Sequence, residues 1–360
     1  MIKIVHAVTV ISLLIALAIL PAHAARLRSQ VEAILGPVNS ADTSGSFPQL
    51  NIVLVYGAHD HAAGQHEYQK FADEWQPLLS RMHNVVVSKA NYWPSAGQWQ
   101  TADLIVFHLR THNCTSNTGT GPSCTAISGT GSVQVVDAAK FAQLDDFLTR
   151  GKGIVTVHPA NYPHQMYQDS WADRTGLVWR VGGSTATNTT YREGLVTLNF
   201  RKTQNPEHPI LTGLPDTLKF DDEVYYPLFG HPDSVTVLAT STETFQGVTT
   251  AHPALWTYSR PGSTGRSYGF IMGHLHESFS DPVFRILLLR GMAWAAKEPN
   301  FSRFRRVVLD SAQYVNDVVG IRAPSPAKPV IRAHEGGKAA TFEWKGKPRQ
   351  SDGRVPQIKK

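Results

Sequence analysis

The chain of 360 residues is poor in cysteine and in charge, and each shortage excludes a class of protein. Two cysteines are too few for a cysteine-rich zinc module or a disulfide-dense miniature protein. Charged residues make up only 17% and hydrophobic residues 42%, which excludes a coiled coil and wholesale disorder. A chain of this length can form one large or two medium-sized domains with a proper core.

Several common motifs are also absent from the sequence. No G-x-G-x-x-G follows a strand pattern and no G-x-x-x-x-G-K-[ST] occurs, so the sequence predicts no loop that cradles nucleotide phosphates. The G-x-S-x-G match at 265–269 opens a predicted strand and is not a strand-to-helix elbow, which argues against a serine hydrolase of the α/β-hydrolase type.

The first 24 residues have the pattern of a cleavable signal peptide. Lys3 is followed by an apolar run over 8–20 and by the A-x-A cleavage pattern that ends at Ala24. The run is too short to span a bilayer comfortably, and no other stretch is apolar enough. We therefore expect a periplasmic or secreted protein, cut near Ala24, with a lead-in over 25–49 and no transmembrane segment in the mature chain. A retained anchor helix is the alternative.

Both cysteines, Cys114 and Cys124, lie in a Ser/Thr/Gly-rich insertion over 111–135. In an oxidising compartment, two cysteines ten positions apart in such a stretch are expected to form a local disulfide. Because pairing occupies both thiols, the sequence predicts no catalytic cysteine.

The first half of the chain alternates between strand and helix patterns. Apolar runs predict strands over 51–57, 84–90, 103–109 and 153–158, and helical spacing predicts helices over 68–79 and 137–150. This alternation predicts an α/β fold with a doubly wound, mainly parallel sheet flanked by helices.

The second half is richer in strand patterns. Strands are predicted over 195–200, 235–240, 254–260 and 267–274, and helices over 281–296, with Asp281 as N-cap, and over 299–321. From Arg322 onward the chain is rich in Pro, Gly, Lys and Arg, and we expect a disordered tail.

The net charge of +6 belongs to this tail. Residues 322–360 hold ten Lys and Arg against three acidic residues, which leaves the rest of the mature chain slightly acidic. The charge therefore gives no support to nucleic acid as a partner.

Histidine is abundant, with 16 residues, and several of them lie at the ends of predicted strands. Each of four predicted strands leads into histidine, namely His59 and His61, His108, His158, and His274 with His276. Because ligands of open α/β sheets bind beyond the carboxyl ends of the strands, we expect these rings to converge there. The roles left open are metal binding, acid–base or substrate hydrogen bonding, and structural hydrogen bonding. His59, His61 and His158 are the candidate ligands for zinc or a similar divalent ion, although the sequence requires no cofactor.

Acidic residues precede a tyrosine pair in the second half. Asp222 and Glu223, just before Tyr225, are candidates for orienting an imidazole, acting as a base or binding sugar hydroxyls. The alternative is a solvated turn. Trp93 is a candidate for stacking on a sugar, although a single aromatic residue is more often part of the core.

Five blocks of sequence resemble a known family. They are YGAHDHAAGQHEY, ANYWPSAGQW, GKGIVTVHPA, HPILTGLPDTLKFDDEVYY and GRSYGFIMGHLHESFSDPVFRILLLRGMAWAA. In this order they resemble the ThuA-like (trehalose utilisation) family over residues 50–298. The resemblance implies a flavodoxin-like domain related to class I glutamine amidotransferases. It also implies a link to the metabolism of trehalose and other glycosides, often through 3-keto sugars.

The resemblance also implies which residues form the site. The family's pattern points to His59, His61, His66, Glu67, His158, Asp222, Glu223, Tyr225, Gly273 and His274. His158 stands where class I amidotransferases have their nucleophilic cysteine. Glutamine hydrolysis by a Cys-His-Glu triad is therefore excluded.

The predicted function is that of an exported carbohydrate-processing enzyme that acts on a 3-keto glycoside or disaccharide. Hydrolysis, elimination and isomerisation remain open, each by acid–base chemistry with or without a metal. The predicted catalytic residues are His158, Glu223, His274 and Glu67, and the predicted substrate contacts are His66, Asp222, Tyr225, Trp93 and His276. One alternative is a non-catalytic sugar-binding protein on the same fold. Another is a scaffold that docks through its basic tail. The sequence leaves the oligomeric state open.

Overall fold

The computed structural model describes residues 26–37, 46–110, 138–163, 167–181 and 188–315. The predicted signal peptide, the insertion with Cys114 and Cys124, and the basic tail lie outside these ranges. The described residues belong to a compact unit that ends at Asp317. In chain order, the elements are β1 (Arg26–Leu27), α1 (Arg28–Leu35), β2 (Leu50–Tyr56), α2 (Tyr68–Leu79), β3 (Val85–Asn91), α3 (Ala96–Thr101), β4 (Leu104–His108), α4 (Ala138–Thr149), β5 (Gly153–Val157), α5 (Gln168–Thr175), β6 (Leu177–Val178), β7 (Thr190–Phe200), β8 (Thr217–Tyr226), β9 (Phe229–Gly230), β10 (Thr236–Phe245), β11 (Val248–Tyr258), β12 (Arg266–Phe270), α6 (Pro282–Ala295), α7 (Ser302–Arg305) and β13 (Tyr314–Val315).

A nine-stranded mixed sheet forms the centre, in the order β3-β2-β4-β5-β12-β11-β10-β7-β8. The first five strands are parallel, and their order is that of a flavodoxin-like sheet. The remaining four extend the sheet in antiparallel fashion from β12. The predicted α/β, flavodoxin-like fold class is confirmed.

Alternate residues of the central strands pack into two cores, one on each face of the sheet. In β2, Ile52 and Leu54 belong to the larger core, whereas Val53 and Val55 belong to the other. A strand that is buried on both faces needs a continuous apolar run rather than an alternating one. The strands β2, β3, β4 and β5 were therefore recognisable in the sequence within one residue, whereas β12 ends at Phe270, four residues before its predicted end.

The strand β8 is the strand of the nine-stranded sheet that the hydrophobic pattern does not predict. It contains Asp221, Asp222 and Glu223, and it pairs with β7 along its whole length. The pairing places Asp222 and Glu223 in a buried strand, so the alternative of a solvated turn is wrong.

The closing helix α6 follows its sequence signals. Asp281 accepts hydrogen bonds from the N–H groups of Val283 and Phe284, as predicted for an N-cap. None of the helices within the described ranges is long and apolar enough to cross a membrane.

The helix predicted over 299–321 is much shorter in the structure. Among residues 299–315, the part of this range that the structure describes, only Ser302–Arg305 is α-helical, and turns lead from it to β13, which pairs with β1. Tertiary hydrogen bonds explain the difference. Arg285 donates to the carbonyl oxygens of Asp310 and Ser311, and the N–H of Gln313 donates to Ser280, so these groups are not available to a helix.

Candidate functional site

Three imidazoles meet at the carboxyl edge of the parallel strands. The Nε2 atoms of His66 and His158 lie 3.0 Å apart, and Nδ1 of His274 lies 3.3 Å from Nε2 of His158. The exposed fractions of the three residues are 3%, 0% and 2%. The three rings come from the segments after β2, β5 and β12. The predicted convergence is therefore confirmed for His158 and His274, and the segment after β2 contributes His66.

Two backbone features hold these rings in place. His66 and His158 both have φ of 49°, in the left-handed region that non-glycine residues rarely adopt. The segments that carry His66 and His274 are also joined through backbone hydrogen bonds. The N–H of His66 donates to the carbonyl of His274, and the N–H of His276 donates to that of Gly64. Strained backbone of this kind often occurs at functional sites, where the surrounding structure maintains it.

Asp60 fixes the orientation of His66. Its Oδ1 lies 2.8 Å from Nδ1 of His66 and accepts a hydrogen bond from the hydroxyl of Tyr68 at 3.0 Å. Burial alone would raise the pKa of Asp60, but hydrogen bonds from His61 and His66 hold it well below its ordinary value. Because the carboxylate is ionised, Nδ1 of His66 carries the ring hydrogen and Nε2 is bare. Burial lowers the pKa of His66 to about 3 despite Asp60, so the ring is neutral.

His158 is fixed by two hydrogen bonds. Its Nδ1 donates to the carbonyl of Ile271 at 2.9 Å, which leaves Nε2 as an acceptor. Burial lowers the pKa of His158 well below its ordinary value and raises that of Tyr225 well above its own. The protonated Tyr225 hydroxyl therefore donates to Nε2 of His158 at 2.9 Å.

His274 forms a pair with Glu223. Its Nδ1 lies 2.8 Å from Oε2 of Glu223, while its Nε2 has no hydrogen-bond partner among the described residues. Burial by itself would lower the pKa of His274, but the Glu223 carboxylate raises it overall. Such a carboxylate–imidazole pair orients the ring and increases the basicity of the nitrogen on its far side.

Asp222 holds the backbone of this pair in place. Its Oδ1 accepts hydrogen bonds from the N–H groups of Glu223, Gly273 and His274, at 2.7, 3.1 and 2.9 Å. Its Oδ2 accepts from the hydroxyl of Ser278 at 2.5 Å. Asp222 is 1% exposed, and both of its carboxylate oxygens accept hydrogen bonds from buried protein groups. The structure therefore places it as a positioning residue rather than as the predicted substrate contact.

The donor atoms suit a divalent metal ion. Ligands that lie about 2.0–2.1 Å from a tetrahedral zinc ion are about 3.3 Å apart, close to the 3.0 Å between the Nε2 atoms of His66 and His158. Nδ1 of His274, 3.3 Å from Nε2 of His158, is bonded to Glu223 instead. His66, His158 and His274 have atoms within 4.8 Å of one another that can hold an ion. The far nitrogens of His66 and His158 are bound to a carboxylate and a carbonyl, as is usual for metal-ligating histidines.

Three exposed side chains lie around these buried rings. His61 has 33% of its side chain exposed, and its ring centroid lies 3.6 Å from that of His66. Glu193 is 49% exposed, and its carboxylate is 4.0 Å from Nε2 of His274. Tyr191 is 50% exposed and pairs with Tyr225 across β7 and β8. These residues form the mouth of the site.

The structure does not bring four of the predicted site residues to the three rings. Nε2 of His59 is hydrogen-bonded to the carbonyl of Gln65, and among the described residues His59 joins no group able to hold an ion. Glu67 accepts the N–H of Gly64. His276 bonds to Glu74, and Trp93 donates to Gln143 on the opposite side of the sheet. Each of them is held by a local partner instead. His108, also at a strand end, is buried against the rings of Phe71 and Phe279.

Sequence reasoning also missed residues. Asp60 was missed, and its position between His59 and His61 is the only feature of the sequence that indicates a role in the site. Tyr68 belongs to the apolar face of α2, so its hydroxyl gave no sign of contact with His66. Tyr191 and Glu193 face the site only through the register of β7 with β8.

A sequence profile of the trehalose utilisation family, ThuA, matches residues 53–295. The chain is similar to the crystal structure of a ThuA-like protein from Parabacteroides merdae, with 17% identity and a TM-score of 0.50, over 70% of this chain and 91% of that one. A ThuA-like protein from Bacteroides uniformis has 18% identity and a TM-score of 0.48, over 72% and 95%. No curated protein matches the sequence.

Proposed function

We propose, since the chain belongs to the trehalose utilisation (ThuA) family, that it is an exported enzyme that processes a keto glycoside by acid–base chemistry. The observation that carries the proposal is the buried His274–Glu223 pair, whose unpartnered Nε2 lies on the side of the exposed Glu193. A bare nitrogen backed by a carboxylate is a suitable general base for a proton next to a carbonyl group.

His274 acts as the base in this proposal. Nε2 of His274 takes a proton from the carbon next to the keto group, and the C–H electron pair moves toward the carbonyl oxygen. Glu223 stabilises the imidazolium that results, as the carboxylate does in other His–carboxylate pairs. The Tyr225 hydroxyl stays protonated and donates its hydrogen to Nε2 of His158, which keeps that ring oriented beside the base.

His66 and His158 would hold a divalent ion such as zinc through their Nε2 atoms, next to the base His274. A bound ion supplies a Lewis acid that polarises a carbonyl oxygen. Asp60 and the carbonyl of Ile271 keep the hydrogens of His66 and His158 on Nδ1, so neither Nε2 carries a hydrogen, and an ion would replace the Tyr225 hydroxyl at Nε2 of His158. His66 thus takes the place predicted for His59 among the ligands.

The first experiment measures product release from 3-keto-trehalose and related 3-keto glycosides by the purified protein, with and without chelator. We expect His274→Asn to lower turnover by about 10²–10⁴-fold, the usual contribution of a general base. The control is His231→Asn, which removes a half-exposed histidine paired with Asp173. Full turnover in a His158→Ala, Glu223→Gln double variant would refute the proposal. Sugar binding without product would favour the non-catalytic alternative.

The second experiment is elemental analysis of the purified wild type and of His66→Ala. We expect a divalent metal in the wild type and its loss in His66→Ala, with the His231→Asn control unchanged. Equal metal content in all three proteins would show that these nitrogens are not the ligands.

A further inference from the structure

We infer that Tyr191 and Glu193 of β7, supported by Trp179, form a subsite that binds the ring of a neutral sugar at the mouth of the histidine site. The inference rests on the proposed function, because it states where the glycoside is held. Binding is nevertheless measurable without turnover, so the subsite and the proposed function can be refuted separately.

The register of β7 with β8 places these residues. Tyr191 lies opposite Tyr225, and Glu193 lies opposite Glu223. Residues directly opposite each other in an antiparallel pair project their side chains from the same face of the sheet. Tyr225 bonds to His158 and Glu223 to His274, so this face is the one that carries the site.

Exposure changes sharply between the two strands. Tyr225 and Glu223 are 4% and 5% exposed, whereas their partners Tyr191 and Glu193 are about half exposed. One strand therefore supplies the buried groups and the next supplies accessible ones beside them. A ligand that reaches His274 from solvent passes these two side chains.

Trp179 connects the exposed tyrosine to the buried one. Its ring centroid lies 6.4 Å from that of Tyr191 and 4.6 Å from that of Tyr225, to which it is nearly perpendicular. On its other side it stacks on Tyr162, with centroids 4.6 Å apart. These aromatic contacts hold the indole rigidly. The indole N–H of Trp179 is buried and has no acceptor among the described residues, and a ligand hydroxyl oxygen would satisfy it.

The chemistry of these groups favours a neutral polyol. An aromatic face offers apolar surface for the C–H face of a sugar ring, and a carboxylate accepts hydrogen bonds from hydroxyl groups. The Glu193 carboxylate would repel an anionic ligand such as a sugar phosphate. The nearby cation Arg110 lies over the Tyr162 ring and 3.8 Å from Asp60, which counters its charge.

The test measures binding of trehalose by calorimetry. Trehalose carries no keto group, so its binding does not depend on the proposed chemistry. We expect Tyr191→Ala to raise Kd about tenfold, and Tyr191→Phe, which keeps the ring, to leave Kd within about twofold of the wild type. We expect Glu193→Gln to weaken binding, and the wild type to bind trehalose 6-phosphate more weakly than trehalose.

The matched control is Leu195→Ala. Leu195 lies on the same strand and face, is 53% exposed, and pairs with Asp221 beyond Glu193. We expect the wild-type Kd for this variant. An unchanged Kd in Tyr191→Ala, or no trehalose binding by the wild type, would overturn the inference. Tyr191-dependent binding without turnover of 3-keto-trehalose would refute the proposed function and leave the subsite in place. Turnover of 3-keto-trehalose with no effect of Tyr191→Ala on KM would refute the subsite and leave the proposed function in place.

Discussion

The Nε2 atoms of His66 and His158 lie 3.0 Å apart, although each ring carries its hydrogen on the opposite nitrogen. The carboxylate of Asp60 holds one hydrogen and the carbonyl of Ile271 holds the other. Two lone pairs at this distance repel each other unless a cation or a shared proton lies between them. The hydroxyl of Tyr225 donates to Nε2 of His158, so a cation between the two rings would have to replace this hydrogen bond.

Tyr68→Phe should weaken the site with little effect on the fold. The variant removes the hydroxyl that donates to Asp60 and lies 2.8 Å from Nδ1 of His66, but keeps the buried ring. Loss of such a supporting hydrogen bond typically costs about 10–100-fold in metal affinity or activity, so we expect about tenfold. The measurements are metal affinity by competition with a chelating dye and turnover of the keto glycoside.

The control for this prediction is Tyr268→Phe. Tyr268 is also fully buried, and its hydroxyl donates to the carbonyl of Leu287. Both variants should lose about 1 kcal/mol of unfolding free energy, the usual contribution of one hydrogen bond. Only Tyr68→Phe should change the metal affinity, and equal affinities would contradict the role of Tyr68.

Asp222→Ala should destabilise the protein strongly. The variant leaves three buried N–H groups, those of Glu223, Gly273 and His274, without their acceptor. We expect the unfolding free energy to fall by about 3–5 kcal/mol, and by less in Asp222→Asn, because the amide oxygen can still accept. Urea unfolding measures both values. Equal stabilities of the two variants would show that these hydrogen bonds do not support the fold.

Stability should fall in mild acid partly because of His208. Burial, followed by the charge of Arg266, lowers the pKa of His208 to about 4 from 6.5. Between these two values the unfolded chain binds more protons than the folded one, so stability falls as the pH falls. We expect wild type to lose about 1 kcal/mol more than His208→Asn between about pH 7 and pH 5.5.

Asparagine is the appropriate replacement for this test. Nδ1 of His208 accepts the N–H of Ile210, and an asparagine side chain can accept the same hydrogen bond. The control is His83→Asn, which removes an exposed histidine. We expect this variant to lose as much unfolding free energy between the two pH values as the wild type does. The measurement is urea unfolding at the two pH values. Identical losses in wild type and His208→Asn would contradict the prediction.

Two glycines in helices should respond to alanine with opposite signs. A Cβ atom at Gly291 of α6 would overlap the buried ring of Tyr268, whereas one at Gly97 of α3 meets nothing within 4 Å. We expect Gly291→Ala to destabilise by about 1–3 kcal/mol or more through overpacking. Gly97→Ala should stabilise by about 0.5–1 kcal/mol because alanine loses less backbone entropy on folding. Thermal unfolding distinguishes the two, and a stabilised Gly291→Ala would contradict the close approach of α6 to the sheet.

The sequence by itself determined the elements of the parallel half and the strand-end histidines. Apolar runs such as 51–57 are local, and the rule that ligands lie beyond the carboxyl ends of parallel strands turned His158 and His274 into site residues. The approach of Nε2 of His66 to Nε2 of His158, by contrast, depends on a distance that no local pattern contains. The disulfide between Cys114 and Cys124 stays a prediction, since both lie outside the described residues.

Only the tertiary structure decided which histidine after β2 joins His158. His59, His61 and His66 occupy one loop, and the left-handed backbone at His66 together with its bond to His274 turns that ring inward. Likewise, pairing of β7 with β8 placed Tyr191 and Glu193 beside the site, although their own segment carries no signal. Side-chain direction in a loop, and register between strands distant in sequence, are fixed by long-range hydrogen bonds and packing, which local hydrophobic patterns do not contain.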